Sequence, residues 1–226
     1  FILRSYLEKD AEAMNLIRLA PLSLHASLII TAKKPVRNMA DLKGVTLIST
    51  NKWVIKLFSE LGSVMLNISS LDGYDALAKG MTDGGVWNWE GPFLFGWVDT
   101  FKPGYYIDAG GVVRAGGSTN AYMNLQKYKS LPADLREKVD YVLWRWGAVY
   151  FAHHIDATVK PFMKEAEKRG IQYIVWSDEE KAKFAKEKAK TIDAWIAEME
   201  KMFKRGAEAA ELLKIYNEAA KKYVPP

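Results

Sequence analysis

The sequence predicts an α/β protein, a sheet with helices packed on its faces, and three observations in Asp41–Gly91 carry that prediction. Two short apolar stretches, Val45–Ile48 and Gly85–Trp87, each follow a Gly-bearing turn and each run into polar residues. Two helical patterns and a further strand, Val64–Leu66, lie between them. Strand and helix therefore alternate, the pattern of a parallel sheet built from helical crossovers. In such sheets ligands bind beyond the carboxyl ends of the strands. Those ends carry Ser49, Thr50, Asn51 and Trp53 on one side and Trp87, Asn88 and Trp89 on the other, which reads as half of a ligand-binding cleft.

Taken in order, residues 1–15 show the end of an amphipathic helix, with Ile2, Leu3, Tyr6, Leu7 and Met14 apolar. Leu16–Leu19 and Leu28–Thr31 are short strands. Asn38 caps a short helix that Gly44 ends. Lys52–Leu61 is a helix stopped by Gly62, and Ser63–Ile68 a strand. Ser69 or Ser70 caps a helix through Lys79, in which Tyr74, Leu77 and Ala78 share one face. Pro92–Val98 crosses back as a helix or irregular segment. Tyr105–Asp108, Val112–Arg114 and Asn120–Asn124 are extended, the last expected to pair in the same sheet. Leu131-Pro132 opens a long helix, which Pro161 kinks or interrupts and Gly170 stops. Ile171–Trp176 is a strand, and Ser177 with Glu180 forms a capping box for a helix reaching Phe203. Gly206 separates a last helix.

Composition narrows the chemistry. The 226 residues suffice for one large domain or two small ones. The net charge of +5 comes largely from Lys interleaved with Glu in the last third, a solvated helix face, and no stretch has the aromatic-plus-basic pattern of a nucleic-acid module. With 0 Cys there is no disulfide, thiolate metal site or Cys nucleophile. No segment reads as a transmembrane helix. The chain opens in the body of a helix, so an N-terminal segment carrying an export signal is expected ahead of Phe1.

Three blocks carry a resemblance: K-P-V-R-N-M-A-D-L-K-G before a strand, L-D-G-Y-D-A-L-A-K-G-M-T-D-G, and Y-K-S-L-P-A-D-L-R-E-K-V. In order and spacing they resemble the solute-binding proteins of tripartite ATP-independent periplasmic (TRAP) transporters, of the DctP type. The likeness continues through the long helix and I-Q-Y-I-V-W; the last helices agree in type only. It implies a periplasmic-binding-protein-like α/β fold, with two lobes, a cleft and a long connecting helix, and with about the N-terminal third absent here. The implied organisation is a remnant of the first lobe and hinge at 1–20, a second α/β lobe at 21–125, the connecting helix at 126–170, and a strand with C-terminal helices at 171–226. It further implies a monomeric periplasmic protein that captures a small organic solute for membrane permease subunits, without cofactor, metal or catalysis.

The departures from the family pattern bear on the ligand. The strand after D-L-K-G normally ends in an Arg that pairs with a ligand carboxylate; here that position is Ile48. A second Arg aligns near Leu28, and the Asn after D-G-Q-E falls at Trp87, whereas Asn51 is retained. Ser70, Asn88 and His25 are further candidates for the lining, His25 because it precedes the strand of Leu28. In one reading an apolar, aromatic or cationic solute is boxed by Trp87, Trp89 and Trp53, since indole faces stack on rings and attract cations. In the other the indoles are packing and Arg114 takes a carboxylate. Trp97, Trp144, Trp146, Trp176 and Trp195 read as packing.

Other residues point less to chemistry. His153 and His154 are adjacent on a helix, diverge by about a third of a turn, and have no companion ligand set. Asp72 and Asp75 suit the first turns of a helix. Gly110, Gly111, Gly116 and Gly117 permit turns, because no Lys-Ser/Thr follows them. No G-x-S-x-G elbow is present. The rival to a binding protein is a small α/β enzyme whose catalytic groups lie in the missing segment.

Overall fold

The computed structural model describes residues 4–22, 27–111, 119–154, 157 and 159–223, with side chains undescribed in addition at 4–7, 20–22, 119–120, 144, 146–154 and 219–223. The chain divides into two compact units. One comprises Leu22–Thr119 and Ala148–Lys188; the other comprises Phe1–Pro21, Asn120–Gly147 and Ala189–Pro226.

The first of these is built on a six-stranded sheet. Its strands are β2 (Leu28–Thr31), β3 (Thr46–Ile48), β4 (Val64–Leu66), β5 (Gly84–Trp87), β6 (Tyr105–Asp108) and β8 (Gln172–Val175), in the spatial order β4-β3-β5-β2-β6-β8. The sheet is mixed and not wholly parallel as the alternation suggests. β3 runs parallel to β4 and β5, and β6 to β8, but β2 is antiparallel to both of its neighbours. Leu28 consequently lies opposite Trp87, so the start of β2 shares a sheet edge with the ends of β3 and β5.

Period-two alternation divides the core between the sheet's faces. One face collects Ile29, Leu47, Val86 and Ile107 under Val54, Leu57 and Phe58 of helix α2 (Lys52–Glu60), with Phe184 of α8 (Asp178–Phe203). Phe58 meets Phe184 edge-on at 6.0 Å, and Trp176 meets it at 5.5 Å. The other face carries Leu28, Ile30, Ile48 and Tyr106. It is covered by Leu77 of α3 (Gly73–Ala78), by Trp97 and Val98 just after α4 (Gly91–Leu94), and by Ala166 of α7 (Lys160–Lys168).

Glycine decides where the backbone can come closest. A Cβ on Gly84 would stand 1.8 Å from the Ile30 carbonyl oxygen, and one on Gly73 would stand 2.4 Å from the Trp97 ring. Pro161 lies in the first turn of α7, where its missing N–H goes unused. Ser177 Oγ accepts from the Glu180 N–H at 3.3 Å, half of the expected capping box. The Glu180 carboxylate turns away and accepts from the Met39 N–H at 3.0 Å, tying α8 to the turn before β3. That hydrogen bond, and then Lys183, hold the Glu180 pKa below the usual carboxylate value.

In the other unit, β1 (Leu16–Leu22) pairs with β7 (Thr119–Asn124) as a separate two-stranded sheet, so Asn120–Asn124 does not join the large sheet. Asn124 ends β7 and caps a short helix, α5 (Leu125–Lys129), by accepting from the Lys127 N–H at 2.9 Å. Helix α6 (Ala133–His154) follows, and the Tyr128 hydroxyl donates to Asp140 on it at 2.7 Å. Between α1 (Arg4–Ala13) and α9 (Gly206–Tyr223), Arg205 reaches both Asp10 at 2.8 Å and Glu208 at 2.6 Å.

Candidate functional site

The residues singled out from sequence gather around the carboxyl ends of β3 and β5, but their side chains serve different neighbours. Ser49 is buried at the end of β3, and its N–H donates to the Leu66 carbonyl at 3.2 Å. Its Oγ accepts from the Asn51 N–H at 3.2 Å, which fixes the turn into α2. Asn51 is the N-cap of that helix: its Oδ1 accepts from the N–H groups of Trp53 at 2.9 Å and Val54 at 3.3 Å. Two of the four orphan donors of the helix are thereby satisfied. Trp53 is half-buried, with the Lys52 ammonium 4.9 Å from its ring centroid.

Ile48 has 0% exposure. It packs with Ala32, Leu77 and Trp97, and the bare backbone of Gly85 lies beneath Ile48 and the Trp97 ring. Ser70 contributes its carbonyl, which accepts from Trp97 Nε1 at 3.0 Å. Trp97, wholly buried, is thus the hub of this face, as a packing tryptophan should be. Trp176 is likewise 1% exposed and donates from Nε1 to the Val36 carbonyl at 3.0 Å.

Trp87 is half-buried at the end of β5, edge-on to Trp97 at 5.7 Å and opposite the buried Leu28. Gly91 lies against its ring, where a Cβ would come within 2.1 Å of Cδ1. Asn88 is engaged internally: Oδ1 accepts from the Gly91 N–H at 3.2 Å, and Nδ2 donates to Glu90 Oε1 at 3.1 Å. Trp89 turns elsewhere, stacking on Tyr106 at 4.5 Å and 9° and tilting against Tyr173 at 5.4 Å. The structure therefore brings Ile48, Ser70 and Trp87 together around Trp97, sends Asn51 and Trp53 to α2, and places Trp89 with the tyrosines of β6 and β8. His25 and Arg114 lie outside the described residues, as do Val112, Gly116, Gly117 and the side chains of His153 and His154.

The tyrosine neighbours of Trp89 escaped the sequence reading. Tyr106 donates its hydroxyl to the Trp89 carbonyl at 3.2 Å, and burial, with Glu90 nearby, raises its pKa well above the ordinary phenol value. Burial and then Asp108 push Tyr173 up to about 12. No group of three or more His, Cys, Asp or Glu among the described residues is placed to hold a metal ion. Among the same residues no helix is long and apolar enough to cross a membrane.

A mixed sheet with helices on both faces, and polar turns at the carboxyl ends of its parallel strands, is an α/β architecture suited to binding ligands at the strand ends, and it is the periplasmic-binding-protein-like fold of the solved structures it resembles. The profile of the family described as bacterial extracellular solute-binding protein, family 7 (DctP), matches residues 6–199. The chain belongs to that family. Among solved structures it is similar to a TRAP periplasmic solute-binding protein from Desulfovibrio salexigens with bound orotic acid, at 21% identity and TM-score 0.78, covering 97% of this chain and 67% of that one. A TRAP solute-binding protein from Sulfitobacter sp. NAS-14.1 with bound β-D-galacturonate gives 15% identity and TM-score 0.77, covering 92% and 66%. A Bordetella pertussis extracytoplasmic solute receptor binding pyroglutamic acid gives 18% and 0.75, covering 95% and 67%. The chain thus spans about two thirds of the length of these proteins.

Proposed function

We propose that this chain is the greater part of an extracytoplasmic receptor that captures a small organic acid and delivers it to a TRAP-type permease, without catalysing its conversion. The observation that carries the reading is the family match over residues 6–199. The fold likeness adds to it, because the similar receptors hold galacturonate, orotate and pyroglutamate, all carboxylic acids.

In this reading the solute meets the carboxyl edge of the six-stranded sheet. Trp87 supplies an apolar wall there, and the Ser49–Asn51, Ser70 and Asn88 turns supply polar backbone. Leu28 and Trp53 stand further round. The solute's charge is not met at position 48, because Ile48 is sealed beneath Trp97 and carries no donor. Arg114 is the candidate for that partner, as a guanidinium pairs bidentately with a carboxylate. The test is a thermal-shift screen of the full-length protein against organic acids, amines and neutral aromatics, with each stabilising compound recovered and checked for change. Stabilisation by acids returned intact supports the proposal. Stabilisation by amines alone, or recovery of a converted product, overturns it.

A further inference from the structure

We propose that the surface depression between α7 and the strands β6 and β8 is a second site, one that takes a small organic ammonium ion. The depression has a volume of about 80 Å³ and lies wholly within the unit built on the six-stranded sheet, on the β6–β8 side rather than among Ile48, Ser70 and Trp87. Trp89, Tyr106 and Tyr173 line it together with Met163, Glu167 and Gln172.

Two features of this arrangement select a cation. Trp89 stacks on the buried Tyr106 at 4.5 Å and tilts to Tyr173 at 5.4 Å, so the two rings that solute can reach, Trp89 and Tyr173, are held in place. The one charged residue in the lining is acidic. That residue is Glu167; Asp108 accepts from the Tyr173 hydroxyl at 3.4 Å, and no Lys or Arg lines the depression. An aromatic surface with a carboxylate at its rim attracts an alkylated cation through the ring quadrupoles and through charge together. The apolar floor of Ala166 and Ile171 has no ligand for a bare metal ion and suits N-methyl or methylene groups. Tyr173 and Met163 are 49% and 37% exposed, so the site is open to solute.

The test uses choline and its neutral isostere, 3,3-dimethylbutan-1-ol, which differ in a quaternary nitrogen against a quaternary carbon. Each is titrated into full-length protein while the Trp89 indole N–H resonance, assigned with Trp89→Phe, is followed by NMR. Choline is expected to shift that resonance saturably and to bind about tenfold more tightly than the alcohol. Glu167→Gln, an exposed change that leaves the fold intact, is expected to weaken choline about threefold or more without moving the alcohol. Equal binding of the two compounds, an unmoved Trp89 resonance, or Glu167→Gln binding choline like the parent overturns the site. The thermal shift with organic acids is read on the same samples. Acid stabilisation without a choline response overturns this inference alone, whereas a choline response without acid stabilisation overturns the receptor reading alone.

Discussion

Ile48→Arg separates a core position from a ligand-facing one. Ile48 has 0% exposure and packs among Ala32, Leu77 and Trp97, with Gly85 leaving no space beneath it. Replacing it removes a buried aliphatic side chain, a loss of about 1.5–3 kcal/mol. It also buries a cation with no acceptor, a penalty of about 3–5 kcal/mol by analogy with broken buried ion pairs. The sum, roughly 5–8 kcal/mol, rivals the whole stability of a typical domain, about 5–15 kcal/mol. At about 2–4 °C per kcal/mol for a chain of this size, Tm should fall by about 10 °C or more. Ile48→Val, which trims one methyl group, should lose only about 0.5–1.5 kcal/mol. The assay is thermal denaturation of both variants followed by circular dichroism. A Tm for Ile48→Arg within about 2 °C of the parent, with tighter binding of organic acids, would show that side chain 48 reaches the solute and would refute the packing argument.

Further outcomes follow from other residues. Trp87→Ala should weaken solute binding by about 1–3 kcal/mol, the range for losing a stacking or cation–aromatic partner; an unchanged Kd in calorimetry would assign Trp87 to packing against Trp97 alone. Asn51→Ala removes the cap accepting from Trp53 and Val54 and should lower stability by about 1 kcal/mol in urea unfolding, whereas Asn51→Ser should recover most of it. Gly84→Ala forces a Cβ onto the Ile30 carbonyl and should lose about 3 kcal/mol or more. Gly80→Ala, with nothing within 4 Å but φ +70, should lose only about 1–2 kcal/mol. Glu180 has a depressed folded pKa, so its contribution is present above the unfolded value near pH 4.3 and is lost as pH falls through the folded one. Glu180→Gln should accordingly flatten the fall of Tm with pH below about 5, and an unchanged slope would sever that link.

Much of the fold was legible because it is written locally. Leu28–Thr31 is a four-residue apolar run and is a strand with those bounds. Gly44, Gly62, Gly80 and Gly170 sit at positive φ where helices or turns end. What escaped depends on partners distant in sequence. Nothing in L-I-I-T encodes that β2 runs against β5 and β6, because a strand buried on both faces reads alike in either direction. Nor does Asn120–Asn124 announce that its partner is β1. Glu180 has the spacing of a capping box, yet the stronger claim on its carboxylate comes from Met39, far back in the chain. Asn51 reads from the resemblance as a solute ligand, yet an Asn before a helix is also a capping signal, and capping α2 is what its side chain does. The Trp89, Tyr106 and Tyr173 cluster requires the register of β6 on β8, which the sequence does not state.

Native mass spectrometry of the full-length protein as purified from its host, followed by release and identification of whatever is bound, tests the receptor assignment most directly. One small organic acid per protein molecule, recovered unaltered after prolonged incubation, is the result expected. A bound compound without an acidic group, or an acid that the protein converts on standing, would contradict it.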